Sequence, residues 1–185
     1  PSILYAGGRF LPEVKKEDVG KLSKRPERLE EDFEDAGLDP NDISFNYIPY
    51  RLDSDFEQNA MNDLLKESSL KGLEVYYNGY QNNSLQSFYI KTTYGKYTPD
   101  FLVIKRKGNR KYKTKDDKGE IEKVLIIETK GKPYYTDEFK NKKKFVEEIF
   151  LKHNPKFRYI CFVDEEGKNS FNKHLKQVKE LIRDL

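Results

Sequence analysis

The chain has 185 residues, enough for one well-buried core, and 36% of them are charged. Its 13 Tyr and 12 Phe argue against disorder, because they supply the large buried area that a disordered chain of this charge lacks. The net charge of +3 hides an asymmetry: residues 1–100 hold 12 Lys/Arg against 18 Asp/Glu, and residues 101–185 hold 23 against 14. A basic half suggests a polyanionic partner, although a solvated lysine-rich face has the same composition.

Residues 1–42 differ from the rest and read as an N-terminal extension or linker, closed by the turn signal Asp39-Pro40-Asn41-Asp42. Residues 43–185 read as the domain proper. A short extended stretch at 44–50 precedes a helix that Ser54 can cap and that runs to about Ser68, with Phe56, Ala60, Leu64 and Leu65 inward. Strands are expected at 73–77, 85–92, 97–105 and 123–129. The polar stretch 105–122 reads as an exposed hairpin or flap. Thr136-Asp137 opens a helix to about His153, with Phe139, Phe145, Val146 and Ile149 inward, and Asn154-Pro155 stops it. A fifth strand at 157–163 and an amphipathic helix at 171–185 close the chain. The order predicts an α/β fold, a mixed β-sheet flanked by helices, with a right-handed parallel crossover from 123 to 163.

Cys161 is the only cysteine, so an internal disulfide is impossible, and its apolar neighbours suit a small core hydrophobe. No apolar run approaches the roughly 18 residues of a membrane span, and no signal peptide heads the chain. The expectation is a cytoplasmic domain without a membrane partner. The Pro1 start suggests a fragment of a longer protein.

Two strings carry the chemistry. Asp100 enters at the head of the apolar run Phe101-Leu102-Val103-Ile104, and Glu128-Thr129-Lys130 leaves the tail of Val124-Leu125-Ile126-Ile127. Strand alternation puts Glu128 and Lys130 on one side. Buried carboxylates and ammonium groups are costly unless they pair or hold a metal. Two carboxylates with the Thr129 carbonyl suit Mg²⁺, with Mn²⁺ as a substitute, and Lys130 could orient water or offset transition-state charge. That is metal-assisted phosphodiester hydrolysis. Singly, each string has a bland rival: Pro-Asp as turn chemistry, and Glu-x-Lys as a solvated pair. Gly131 would permit a tight exit and close approach. Glu57 is a fourth candidate for the metal shell, with a capping box to Ser54 as its rival.

Lys105, Arg106, Arg110, Lys111 and Lys113 of the flap, with Lys132 and Lys142, are candidates for phosphate contacts on double-stranded DNA. Tyr134 and Tyr135 could stack on bases or pack in the core. His153 and His174 are too few and too scattered for a histidine metal site and read as surface or helix-end residues.

Pro99-Asp100 followed by Glu128-Thr129-Lys130 resembles the PD-(D/E)xK nuclease signature, with Glu57 on the expected upstream helix. The longer strings Ile48–Glu57, Tyr94–Phe101 and Glu128–Gly131 resemble the C-terminal endonuclease domain of type III restriction enzyme Res subunits. The resemblance implies a restriction-endonuclease-like fold, with Asp100 and Glu128 as metal ligands, Lys130 as the catalytic lysine and Glu57 as the accessory acid. It also implies a polar residue from the following helix, for which Lys142, Lys143 and Lys144 are candidates. A helicase motor in the full-length chain and a methyltransferase subunit are the implied partners. This chain lacks a Gly-x-x-x-x-Gly-Lys-Ser/Thr phosphate loop and so carries no motor. The alternatives are a non-catalytic DNA- or partner-binding module of the same fold, or a junction or repair nuclease.

Overall fold

The computed structural model describes residues 3–8, 10, 56–57, 59–60, 64, 73–78, 87–109, 120–168 and 171–185. In chain order the strands are β1 (Ala6–Gly7), β2 (Glu74–Tyr77), β3 (Tyr89–Thr92), β4 (Gly95–Tyr97), β5 (Phe101–Arg106), β6 (Ile121–Gly131) and β7 (Phe157–Asp164). Helix α1 (Asp137–Phe145) runs on through a π-helical turn (Val146–Phe150) to a last turn at Leu151–His153, and α2 is Asn172–Asp184. Phe56, Glu57, Asn59, Ala60 and Leu64 belong to a helical segment upstream. The strands form two sheets in a mixed α/β architecture, ordered β1-β3-β4 and β2-β5-β6-β7. Among the described strands only the β6–β7 pair is parallel, and α1 makes the crossover between those strands.

β5 and β6 are central, and the runs Phe101–Ile104 and Val124–Ile127 are buried throughout, as strands covered on both faces require. Register and alternation put Leu102, Ile126 and Glu128 on one face and Phe101, Ile127 and Thr129 on the other. α1 covers the Glu128 face. The Phe150 ring of its π-helical turn meets Phe157 at 5.2 Å, and Phe139 carries the Lys130 ammonium over its ring at 5.0 Å. α2 covers the other face, where Phe171 and His174 pack on Phe162 at 5.1 and 4.9 Å, and Phe56 joins Phe171 at 5.7 Å.

The structure departs from the sequence expectations in four places. The strand expected at 97–105 is two strands: β4 ends at Tyr97, β5 starts at Phe101, and they belong to different sheets. Pro99 is the physical reason, since it lacks the N–H a ladder needs. The first residues are part of the folded body rather than an extension: β1 pairs with β3, and Phe10 is buried against Phe88 and Phe157. Asn154 fastens them further, accepting from the Leu4 N–H and donating to the Leu4 carbonyl, both at 2.9 Å. The rest of 11–42 and the stretch at 44–50 lie outside the described residues. On α1 Phe139 and Val146 are buried as expected, but Phe145 and Ile149 are only half-buried and Phe150, one helical turn after Val146, is fully buried.

The fourth departure concerns Arg106. It is buried, with Nε and Nη2 on the Glu74 carboxylate (Nη2 at 3.2 Å), and Tyr76 donates to the same carboxylate. Strand alternation puts Arg106 on the face of Leu102 and Ile104, the face that also carries their partners Tyr76 and Glu74, so the guanidinium turns inward rather than onto a phosphate-binding flap.

Candidate active site

Asn78 builds the corner between the two sheets. Its backbone N–H donates to the Asp100 carbonyl at 2.6 Å, and its Nδ2 donates to the carbonyls of Phe88 and Pro99 at 2.8 and 2.9 Å. The corner holds Asp100 beside the last ladder pair, Phe101–Ile127, where its Oδ2 accepts from both the Thr129 N–H and the Thr129 hydroxyl at 2.8 Å. The hydrogen-bonding half of Thr129 is therefore its amide and hydroxyl, while its carbonyl was the expected ligand.

Glu128 is fully buried. Its Oε2 accepts from the Tyr97 hydroxyl at 2.8 Å, and Tyr97 in turn lies 3.0 Å from the Tyr159 hydroxyl. Its Oε1 meets the Lys130 ammonium as an ion pair and accepts no hydrogen bond from the described residues. Burial, and then the charge of Asp100, push the Glu128 carboxyl up to about 8, against the pull of Lys130 and Tyr97. Burial pulls Lys130 down, but Glu128 and Asp100 outweigh it and hold the ammonium above its ordinary value. Burial, followed by the charge of Glu128, also raises Tyr97, and Cys161 on the paired strand is pushed up to about 12 for the same two reasons. A thiol so held is inert, which fits a packing role.

A cleft of about 790 Å³ opens over this corner. Thr129, Lys130 and Gly131 line it, with Glu57 from the upstream helix and Lys96, Lys132, Lys142 and Tyr134 around it. Asp100 and Glu128 are buried next to this floor rather than on the cleft wall. The structure thus brings Asp100, Glu128, Thr129 and Lys130 together and sets Glu57 on the same cleft. Ser54, its capping rival, lies outside the described residues. Lys142 alone of the three adjacent lysines reaches the cleft, where it pairs with Glu138 at 2.8 Å; Lys143 and Lys144 pair with Glu147 and Glu148 along α1.

The remaining candidates are scattered. Lys105 is half-buried, with its ammonium 3.3 Å from the Leu185 carbonyl and 3.9 Å from Glu122. Lys107 and Glu120 pair across the mouth of the flap, and Arg110, Lys111 and Lys113 lie outside the described residues. Lys132 is exposed on the cleft. Tyr134 is 72% exposed at its lip, whereas Tyr135 is half-buried against Phe139. His153 sits at a helix end, with Nδ1 2.9 Å from the Ile149 carbonyl. His174 is instead set among the Phe56, Phe162 and Phe171 rings, where burial lowers its pKa. Gly131 has φ −66° and ψ 144°, a conformation open to any residue, so no backbone freedom is required there.

Sequence reasoning missed Tyr97, Asn78, Tyr159 and Lys96. Tyr97 had a signal: a tyrosine two residues before Pro99-Asp100, where a buried hydroxyl must find a partner.

Among the described residues no three His, Cys, Asp or Glu side chains gather as a metal cage. Two carboxylates with a nearby carbonyl are a donor set for a hard cation that keeps several waters, and the buried Glu128 Oε1, held in the structure against the part-exposed Lys130 ammonium, fits that use. Comparison with protein-family models, curated proteins and solved structures gives no match. Among the described residues no helix is long and apolar enough to cross a membrane.

Proposed function

We propose that the chain is a metal-dependent nuclease domain that hydrolyses phosphodiester bonds in DNA. The observation that carries this is the like-charged pair Asp100 and Glu128, buried side by side beneath a cleft whose floor bears Lys130. Burying two adjacent carboxylates is costly for a fold, and a divalent cation removes the cost. Asp100, Glu128 and the Thr129 carbonyl would hold Mg²⁺, and Glu57 stands across the same cleft as an accessory acid. Mg²⁺ bound there supplies Lewis acidity and lowers the pKa of a coordinated water. Lys130 enters as a cation, since its neighbours hold its pKa high. Its work is therefore to stabilise negative charge developing on the phosphate rather than to take a proton from water. Lys96, Lys132 and Lys142 offer phosphate contacts without sequence readout, and the exposed Tyr134 offers a stacking face. The PD-(D/E)xK-like strings support placing this domain with the cleavage modules of type III-like restriction subunits, which implies a motor and a methyltransferase as partners.

The test is nicking or linearisation of plasmid in Mg²⁺, in Mn²⁺ and in EDTA. Lys130→Ala should lower the rate by about 10²–10³-fold, and Asp100→Ala should leave only background. Cutting that survives both substitutions removes the mechanism. Salt-sensitive DNA binding without cutting, unchanged in Asp100→Ala, would make the chain a binding module. Preferential cutting of branched over linear duplex would favour a junction or repair nuclease.

A further inference from the structure

The Glu128 carboxylate is aimed by a chain of hydroxyls that runs from Tyr159 on β7 through Tyr97 in the smaller sheet. When Glu128 is ionised Tyr97 gives its one proton to Oε2 at 2.8 Å, so in the 3.0 Å contact between Tyr97 and Tyr159 the donor is Tyr159. The order Tyr159 to Tyr97 to Glu128 polarises each bond in the same direction. The Tyr97 ring is buried and fixed on two sides, by Phe139 at 6.0 Å and Tyr159 at 6.2 Å, both edge-on. Its backbone is fixed as well, since Tyr97 pairs with Ile90 in the β3–β4 ladder. The break at Thr98–Asp100 then returns the chain to the larger sheet, so residues three apart reach Glu128 from two different sheets.

We propose that Tyr97, oriented by Tyr159, is the positioning residue of the metal site: by occupying Oε2 it leaves Oε1 as the Glu128 oxygen presented to a cation. The inference rests on the nuclease reading for the identity of that cation. Phe would fill the same space if packing alone were needed, and a buried Tyr is retained where its hydroxyl has work to do. In the metal-free protein Lys130 stands against Oε1, the oxygen that Tyr97 does not occupy, so both oxygens of Glu128 have an assigned neighbour.

Calorimetric titration of the full chain with Mg²⁺ and Mn²⁺, without DNA, gives a readout independent of cutting. Tyr97→Phe should weaken cation affinity about 10–100-fold, the usual effect of losing a hydrogen-bond partner behind a ligand. Tyr159→Phe, which keeps the Tyr97 hydroxyl, should weaken it less. Thermal unfolding in EDTA reports whether each variant folds. In cleavage, the metal concentration for half-maximal rate should rise while the rate at saturating metal changes little. Wild-type affinity in a folded Tyr97→Phe overturns the inference and leaves the nuclease reading standing. Should Tyr97→Phe fail to fold, unchanged affinity in Tyr159→Phe overturns it instead. A wild-type protein that takes up no cation overturns both.

Discussion

β5 carries a buried ionic cluster at each end, and the two are built to opposite rules. At its C-terminal end Arg106 meets Glu74 through two nitrogens, and Tyr76 donates to the same carboxylate. Among the described residues acid and base are matched one to one, and both side chains are buried. Ahead of its N-terminal end, Asp100 and Glu128 outnumber Lys130, which is itself part-exposed to a cleft. Among the described residues the charges of the first cluster cancel. The second sets two carboxyls beside one ammonium, so Glu128 keeps its proton up to about 8, and Lys130 lines a cleft. The same strand thus teaches that burial of charge alone does not mark a site. A buried carboxyl with a strongly raised pKa next to an opening does.

Breaking the closed cluster should have the largest effect on stability. Arg106→Ala takes the guanidinium away from the buried Glu74 carboxylate, at a cost of about 3–5 kcal/mol by urea unfolding. The double replacement Glu74→Leu with Arg106→Met should recover most of that loss, and neither should impair cutting at temperatures where the fold persists. A cleavage defect in the folded double variant would show that the two clusters are not separate.

The open cluster should respond in the opposite direction. Glu128 holds its proton up to about 8 in the folded chain, against an ordinary value of 4.5, so unfolding releases a proton throughout that interval. Stability in EDTA should therefore fall as pH rises from about 4.5 to about 8. Glu128→Gln removes the charge and should flatten that slope. At pH 8 it should stabilise the metal-free protein by about 1–3 kcal/mol while abolishing cutting. A Glu128→Gln variant less stable than wild type at pH 8 would show that Lys130 compensates the charge fully.

The smallest effect is expected at Gly131. Its backbone angles are ordinary, and an added Cβ would lie 3.4 Å from the Tyr134 ring, so Gly131→Ala should change stability by under about 0.5 kcal/mol. A large loss of DNA affinity in that variant, measured by anisotropy, would reveal that Tyr134 must move.

The apolar runs at 101–104 and 124–127 disclosed the central strands because buried parallel and mixed sheets need unbroken hydrophobic stretches. The long helix and the last strand were legible from their periodicity and from Asn154-Pro155. Pro99 was in plain view, yet the break it causes was not read, since a proline at a strand start is as common as one at a corner. Asp100, Glu128 and Lys130 were legible because ionisable groups beside apolar runs violate the core pattern. Asn78, Tyr97 and Tyr159 were not, because their roles depend on the meeting of two sheets, which period and spacing along one strand do not encode. Arg106 was misread for a related reason: its partner Glu74 lies 32 residues away on the neighbouring strand, and only the β2–β5 pairing brings the two to one face.

The clamp between Leu4 and Asn154 joins residues 150 positions apart. Chains are synthesised from the N-terminus, so β1 must wait for the end of α1 before its anchor exists. Until then β3 has one open flank, and its neighbour Phe88 lacks the Phe10 ring that covers it in the finished fold. Such closure of distant segments slows folding and lengthens the life of a sticky edge. Trimming the first ten residues to isolate a smaller core would make that transient edge permanent.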